Sequence, residues 1–327
     1  MSKKIIPFIH KDAYKPLLDD RRWFCVTVDG IIGVGKSTLI ANMKRELEQI
    51  IKESNTPYHV KVLQIDEPDH IWTKPCSELT SPFFLERMPQ DEAQSGGGMS
   101  PLQHFYHDEK KTAFEFQVIA FSTRALSTHQ NLFKIMKENM EDPLSFTIIL
   151  CERSVFTDKE IFAGVHTEKG NFSSVAVAAY SMFHDFLCEP LLPFEDLNLY
   201  LNVPVDECID RVNIRDRKSE TEEIDQSDFK EYESKLVHYY NEKMVRDKKR
   251  GVIVRSIDWS DNTDINSESK EKRISQLCEQ IYMMTVCYEK KKRYIKKADS
   301  TGFFVTPTYA DLWIALIAFV TCLAFII

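Results

Sequence analysis

The sequence lacks the features that mark secreted, zinc-binding or nucleic-acid-binding proteins. Its 8 cysteines form no CxxC pair and no Cys/His group at zinc spacing, so neither a disulfide framework nor a zinc site is predicted. A formal net charge of −8 lacks the basic excess of a general nucleic-acid binder, and no nucleic-acid partner is expected. Residues 1–20 contain no continuous apolar run, so we interpret them as a cytosolic N-terminus rather than a presequence.

Short apolar runs alternate with longer helical patterns in a chain that is 43% hydrophobic. The runs lack strict alternation of apolar and polar residues, which is typical of strands buried on both faces of a parallel sheet. The intervening segments are long enough for crossover helices, and no internal repeat is detected. We therefore predict an α/β fold with a five-stranded parallel sheet covered by helices. The predicted strands are 23–28, 60–65, 146–150, 197–201 and 252–257.

Two stretches depart from this alternation. Residues 73–100 contain three prolines and a run of three glycines, so composition predicts a flexible inserted loop. At the C-terminus, the basic stretch 290–297 precedes residues 312–327, which contain no charged side chain. A helix there would be ~24 Å long at ~1.5 Å per residue, slightly short of a bilayer core. We expect a membrane tail anchor with the rest of the chain in the cytosol; a terminal helix packed on the protein is the alternative.

A phosphate-binding loop is the most specific motif in the sequence. Residues 30–37 match the P-loop pattern G-x-x-x-x-G-K-[ST], after a predicted strand and before a predicted helix. The glycines let backbone amides surround phosphates, Lys36 neutralises their charge, and the Ser37 hydroxyl can bind Mg²⁺. A glycine-rich turn without a ligand is the alternative. The loop does not identify the acceptor of the phosphoryl group.

Further motifs, in a fixed order, accompany this loop. Glu67-Pro68 and Trp72 follow the second predicted strand, and Glu152-Arg153-Ser154 follows the third. A carboxylate at the end of a parallel strand beside a phosphate loop could accept a hydroxyl proton. Each motif also has a structural alternative: Glu67 could cap a helix, Trp72 could be core, and the Glu-Arg pair could be a structural ion pair.

Taken together, these motifs resemble the deoxycytidine/deoxyguanosine kinase family over roughly residues 22–287. The resemblance implies a three-layer P-loop nucleoside/nucleotide kinase fold with an arginine-rich lid, here followed by a C-terminal hydrophobic helix. It further implies a general-base role for Glu67, a sugar contact for Tyr106 and a hydrogen bond from Gln117 to the base. An Arg124–Asp158 pair would discriminate against thymidine. A glutamine and an arginine about two turns apart would share one helix face.

The same resemblance implies roles for the remaining candidate residues. The catalytic residues would be Glu67, Arg153 and Lys36. The substrate-binding residues would be Glu67, Trp72, Tyr106, Gln117, Arg124, Arg153, Asp158, Phe162 and Glu220. The ATP-binding residues would be Gly30, Gly33, Val34, Gly35, Lys36, Ser37, Thr38, Arg211, Arg215, Arg217 and Asp258. Mg²⁺ would bind Ser37 and Glu152. A solvated charge run is the alternative for the segment predicted as the lid.

We therefore expect an ATP- and Mg²⁺-dependent deoxynucleoside kinase that prefers deoxycytidine or a purine deoxynucleoside to thymidine. The alternatives are a nucleoside monophosphate kinase and a membrane-tethered nucleotide-binding module without activity. A homodimer is expected from the family resemblance alone. The predicted segments are an N-terminal extension 1–21, a kinase domain 22–288 with insertion 73–100 and lid 211–223, a basic linker 289–308 and a tail anchor 309–327.

Overall fold

The computed structural model describes residues 21–86, 98–188, 195–215, 226–260 and 267–298. The predicted lid residues Arg217 and Glu220 and the predicted tail anchor lie outside these ranges. Within them, no helix is long and apolar enough to cross a bilayer. Residues Trp23–Tyr282 form one compact unit.

A five-stranded parallel sheet in the order β2-β3-β1-β4-β5 forms the centre of this unit, and the predicted sheet is confirmed. β1 and β3 are buried along their whole length. Branched side chains on these two strands, among them Val26, Val28, Ile148 and Ile149, have no exposed surface. The strands are β1 (Trp23–Asp29), β2 (His59–Ile65), β3 (Ser145–Glu152), β4 (Leu197–Asn202) and β5 (Ile253–Asp258).

Helices connect the strands and cover the sheet. α1 buries Leu39, Ile40, Met43 and Leu47, whose three- and four-residue spacing places them on one face. The helices up to β3 are α1 (Lys36–Glu53), α2 (Asp69–Trp72), α3 (Cys76–Leu79), α4 (Pro82–Leu85), α5 (Pro101–His107) and α6 (Glu109–Glu141). After β3 come α7 (Val155–Thr157), a π-helix (Asp158–Ala163), α8 (Gly164–Glu168), α9 (Ser174–Cys188), α10 (Val205–Arg215), α11 (Gln226–Arg250) and α12 (Ser267–Ala298).

Two predicted segments differ from the structure. The region predicted as an inserted loop contains α3 and α4. Pro82 at the first position of α4 has a backbone angle already suited to a helix. Ser100 caps α5 through a capping box with Gln103, so this region ends in a defined helix start. Residues 289–298, predicted as the start of a linker, belong to α12, since lysine and arginine are good helix formers.

Candidate active site

The predicted site residues converge at the carboxyl edge of the sheet. Gly30 follows β1, Glu67 follows β2, and Glu152 ends β3 just before Arg153. Strands β2 and β3 lie on one side of β1, whereas β4 and β5 lie on the other. Open α/β sheets bind their ligands at this edge, beside the strand where the chain changes sides.

The phosphate loop needs glycine where its backbone is left-handed, as at Gly33 and Gly35. Gly33 has φ +79°, and a Cβ atom there would lie 2.4 Å from the carbonyl oxygen of Cys208. Gly35 has φ +96° and immediately precedes α1. A side chain at Gly33 would be both strained and blocked by main chain. Glycines and the helix start together form the anion-binding geometry that the sequence predicts.

Lys36 is buried and folded back over the loop. Its Nζ donates to the carbonyl oxygens of Gly30 at 3.4 Å and Ile31 at 3.0 Å. Burial, with help from the charge of Arg153, lowers the pKa of Lys36 from 10.5 to about 8. The negative charge of a bound phosphate would raise the pKa of Lys36 again and keep the amine protonated.

Ser37 and Glu152 lie together at the start of α1. The Ser37 hydroxyl donates to Glu152 Oε2 at 2.8 Å, and Glu152 Oε1 is 3.9 Å from Lys36 Nζ. Hydroxyl and carboxylate oxygens are the ligands that Mg²⁺ prefers, usually completed by phosphate oxygens and water. Within the described residues, no group of three or more His, Cys, Asp or Glu side chains could hold a metal unaided. The oxygen donors of Ser37 and Glu152 fit such an ion, with its remaining ligands supplied by a nucleotide and water.

Glu67 is held by two arginines that donate to the same carboxylate oxygen. Arg153 Nη1 lies 2.7 Å and Arg124 Nη2 lies 2.8 Å from Glu67 Oε1. Burial alone would raise the pKa of Glu67, but the charges of Arg153 and Arg124 hold it well below its usual range. No described residue donates a hydrogen bond to Oε2. The carboxylate is therefore ionised at neutral pH, and one oxygen can accept a proton from a bound group.

Arg153 joins Glu67 to the phosphate loop. It has φ 59°, which is costly for a residue with a side chain, by about 1–3 kcal/mol. From this position its guanidinium donates to Gly30 O at 3.2 Å, contacts the Tyr240 hydroxyl at 3.4 Å and lies 5.0 Å from the ring centre of Phe162. Strained backbone of this kind is concentrated at functional sites.

Arg124 is the second joining residue. Its Nε donates to Asp158 Oδ2 at 2.8 Å and its Nη1 donates to the Glu152 carbonyl at 2.8 Å, in addition to the bond with Glu67. Burial would lower the pKa of Arg124, but Asp158 and Glu67 raise it above its usual value, so the guanidinium stays charged. The predicted Arg124–Asp158 contact is present, and it is 2–3% exposed on both side chains.

These groups line one cleft, in which charged side chains from the ends of the strands face a wall of aromatic side chains. Gln117 is buried, and its Oε1 has no hydrogen-bond partner among the described residues. Trp72 is fixed by a bond from Nε1 to the Thr123 hydroxyl at 3.0 Å and packs edge-on against Phe116. The lining comprises Ile32, Gly33, Lys36, Glu67, Asp69, Trp72, Leu102, Phe105, Tyr106, Phe116, Gln117, Ala120, Arg124, Glu152, Arg153, Asp158, Phe162 and Tyr232.

A buried ion cluster supports the end of β1 just before the loop. Asp29 accepts hydrogen bonds from Thr157 Oγ1 at 2.9 Å and Asn198 Nδ2 at 2.6 Å. Lys243 Nζ lies 3.3 Å from Asp29 and 2.7 Å from Asp247. Burial alone would raise the pKa of Asp29, but Lys243 and these hydrogen bonds lower it below its usual value. The cluster fixes the strand from which the phosphate loop leaves.

The predicted ATP-binding residues divide into two groups. Val34, Ser37 and Thr38 belong to the loop and α1, and Arg211 Nη1 donates to the Val34 carbonyl at 2.9 Å. Asp258 instead turns to Ser260, whose hydroxyl donates to it at 2.9 Å. Arg215 is the last residue of α10, at the edge of the described range.

Sequence reasoning missed several residues that lie at the site. Trp259, which follows Asp258, packs against the loop: a Cβ at Gly35 would lie 3.2 Å from its indole nitrogen. Phe105 stacks on Phe116 with ring centres 4.8 Å apart, and Tyr232 lines the cleft. Tyr240 donates from its hydroxyl to Gly30 O at 3.0 Å. Phe105 could have been found from its position next to Tyr106 in the sequence. For Tyr232 and Tyr240 the sequence offers no signal beyond helical spacing.

A phosphate loop beside a cleft with a clamped, ionised carboxylate defines an α/β enzyme of phosphoryl transfer. The model of the deoxynucleoside kinase family matches residues 26–282, and the chain belongs to this family. Family membership makes it a kinase that phosphorylates nucleosides, as the resemblance implies.

Two relatives show the level of similarity. Deoxycytidine kinase 2 from Gallus gallus is 27% identical over 255 residues, which cover 77% of this chain and 85% of that protein. Deoxyadenosine/deoxycytidine kinase from Bacillus subtilis (strain 168) is 27% identical over 196 residues, covering 60% and 67% respectively. A solved structure of deoxyadenosine kinase from M. mycoides with bound dCTP has 19% identity and a TM-score of 0.49, covering 79% of this chain and 100% of that one.

Proposed function

We propose that this kinase transfers the γ-phosphoryl group of ATP to the 5′-hydroxyl of a deoxynucleoside. The observation that carries the proposal is the position of Glu67, which shares one cleft with Lys36 and Gly33 of the phosphate loop. Arg153 connects them, because it donates both to Glu67 Oε1 and to the Gly30 carbonyl. One guanidinium thus sets the distance between the proton acceptor and the phosphate cradle.

Each polar group then has a chemical task. Glu67 Oε2 accepts the proton of the sugar hydroxyl as the oxygen attacks the phosphorus, while Arg124 and Arg153 keep the carboxylate ionised and oriented. Lys36 and Arg153 offset charge on the transferring group. Ser37 and Glu152 would hold Mg²⁺, which would neutralise phosphate charge when it is bound with ATP. The lid arginines Arg215 and Arg217 would close over the phosphates.

The base preference that we propose is deoxycytidine or a purine deoxynucleoside over thymidine. Asp158 and the Glu152 carbonyl fix Arg124, so its donors cannot rearrange for a base that lacks a matching acceptor. Gln117 offers a buried amide oxygen that needs a donor, which an exocyclic amino group would supply. Both features favour a base edge with a defined donor and acceptor pattern.

A phosphotransfer assay tests this function. The full chain is incubated with Mg²⁺, γ-labelled ATP and each of the four deoxynucleosides, with deoxycytidine monophosphate as a further acceptor. We expect labelled 5′-monophosphates, with thymidine the poorest acceptor. Labelled deoxycytidine diphosphate as the sole product would contradict a nucleoside kinase, and equal or faster use of thymidine would contradict the base preference.

Residues 309–327 and the oligomeric state complete the proposal. We propose that this segment anchors the kinase to a membrane, supported by the absence of charged side chains from residues 312–327 and by the basic stretch before it. We also propose a homodimer, on family resemblance alone. Flotation of the full chain with vesicles, against a chain ending at residue 308, tests the anchor; sedimentation of the shortened chain tests the dimer.

A further inference from the structure

A buried carboxylate of this chain accepts a hydrogen bond from a backbone amide of the phosphate loop. Glu233 lies on α11 and has no exposed surface. Its Oε2 accepts a hydrogen bond from the Ile32 amide at 3.1 Å. Ile32 is the third residue of the loop and lines the substrate cleft. The partners are far apart in the sequence, so the contact is created by the fold.

The amides of a phosphate loop are suited to bind anions, and carboxylate oxygens as well as phosphate oxygens are found at such sites. A second anion brought to the same loop must therefore approach a buried negative charge. Among the described residues, Glu233 accepts a hydrogen bond from a loop amide and contacts neither Glu67 nor Glu152.

α11 connects this contact to both substrates. Tyr232, the residue before Glu233, lines the nucleoside cleft, and Tyr240 donates to the Gly30 carbonyl two turns further along. The helix follows the segment predicted as the lid. A shift of α11 would move Glu233 relative to the loop and Tyr232 relative to the nucleoside together.

We propose that Glu233 is an internal anion whose negative charge, held at the Ile32 amide, opposes the terminal phosphate of the donor and so sets the affinity of the loop for ATP. The proposal rests on the function proposed above for the loop. A carboxylate that only positions the loop would act through its hydrogen bond, whereas an opposing anion acts through its charge. The two roles separate when the charge is removed and the acceptor is kept.

Glu233→Gln keeps an amide oxygen for the Ile32 amide and removes the charge, and Glu233→Ala removes both. Binding of Mg·ATP to the full chain is measured by calorimetry without nucleoside, so the result does not depend on turnover. We expect both variants to bind ATP about tenfold more tightly than the wild type. Glu231→Gln is the matched control on the same helix, because Glu231 is 68% exposed and paired with Lys235; its affinity should equal that of the wild type.

Wild-type affinity for Glu233→Gln with weaker binding for Glu233→Ala would show loop positioning and overturn the proposal. Unchanged affinity in both variants would also overturn it. If the variants bind ATP more tightly but the wild-type chain phosphorylates no nucleoside, this inference stands and the proposed function is refuted. No ATP binding by any form would refute both. Thermal melting of each variant confirms that it is folded.

Discussion

Replacing Arg124 with methionine should cost stability and activity together, because this side chain joins three parts of the site. The change removes the donors to Asp158 Oδ2, the Glu152 carbonyl and Glu67 Oε1. Glu67 keeps Arg153, but Asp158, which is 2% exposed, loses its charge partner. An uncompensated buried charge costs about 3–5 kcal/mol, whether it stays charged or takes up a proton. For a unit of this size the melting temperature should fall by at least ~6 °C.

A double-mutant cycle with Asp158→Leu isolates this charge effect. Removing both partners leaves no unpaired charge at position 158, so the double variant should be more stable than Arg124→Met by about 2 kcal/mol or more. Calorimetric melting gives the stabilities, and turnover of thymidine relative to deoxycytidine gives the specificity. Thymidine should gain in the double variant, because the fixed donors are gone. Additive losses in the cycle, or an Arg124→Met protein as stable as the wild type, would refute the reasoning.

Three further predictions concern the loop and its support. Gly33→Ala should abolish measurable ATP binding, whereas Gly170→Ala, with a similar φ of +75° and open space around it, should bind normally; equal binding would contradict the steric argument. Lys243→Met should lower the free energy of unfolding, measured with denaturant, by about 3–5 kcal/mol. Lys230→Met, which changes an exposed lysine, should lower it by less than ~1 kcal/mol. Similar losses in both variants would contradict a stabilising role for the buried cluster. Lys36 has its pKa lowered to about 8, so the folded protein loses this proton at a lower pH than the unfolded chain does. Between pH 8 and 10 the affinity for ATP should therefore fall, while the contribution of Lys36 to the free energy of unfolding should rise. A constant ATP affinity up to pH 9.5 would contradict this.

The sheet was predictable because its strands are buried on both faces. Each observed strand begins and ends within two residues of the predicted run. The order β2-β3-β1-β4-β5 was not predicted from the pattern, because apolar runs carry no information about their neighbours. The π-helix Asp158–Ala163 had no signal either, since its side chains also fit an α-helix.

The loop and the Glu67, Arg153 and Arg124 positions were predictable from motifs, but their connections were not. Nothing in the sequence indicates that both arginines donate to one oxygen of Glu67. Glu233 and Lys243 lie in a segment rich in lysine and glutamate, which composition describes as a solvated helix. Ile32 and Asp29, which they contact, lie far away in the sequence, and only the packing of α11 at the loop turns these charges inward.

Glu67→Gln tests the central claim most directly, namely that one ionised carboxylate beside the phosphate loop accepts the proton of the sugar hydroxyl. The amide keeps an acceptor for both arginines but cannot take up the proton. We predict a fall in kcat of about 10²–10⁴ with ATP affinity retained, while Asp66→Asn, which changes the neighbouring exposed carboxylate, keeps wild-type kcat. A Glu67→Gln enzyme with a kcat equal to that of Asp66→Asn would contradict the account.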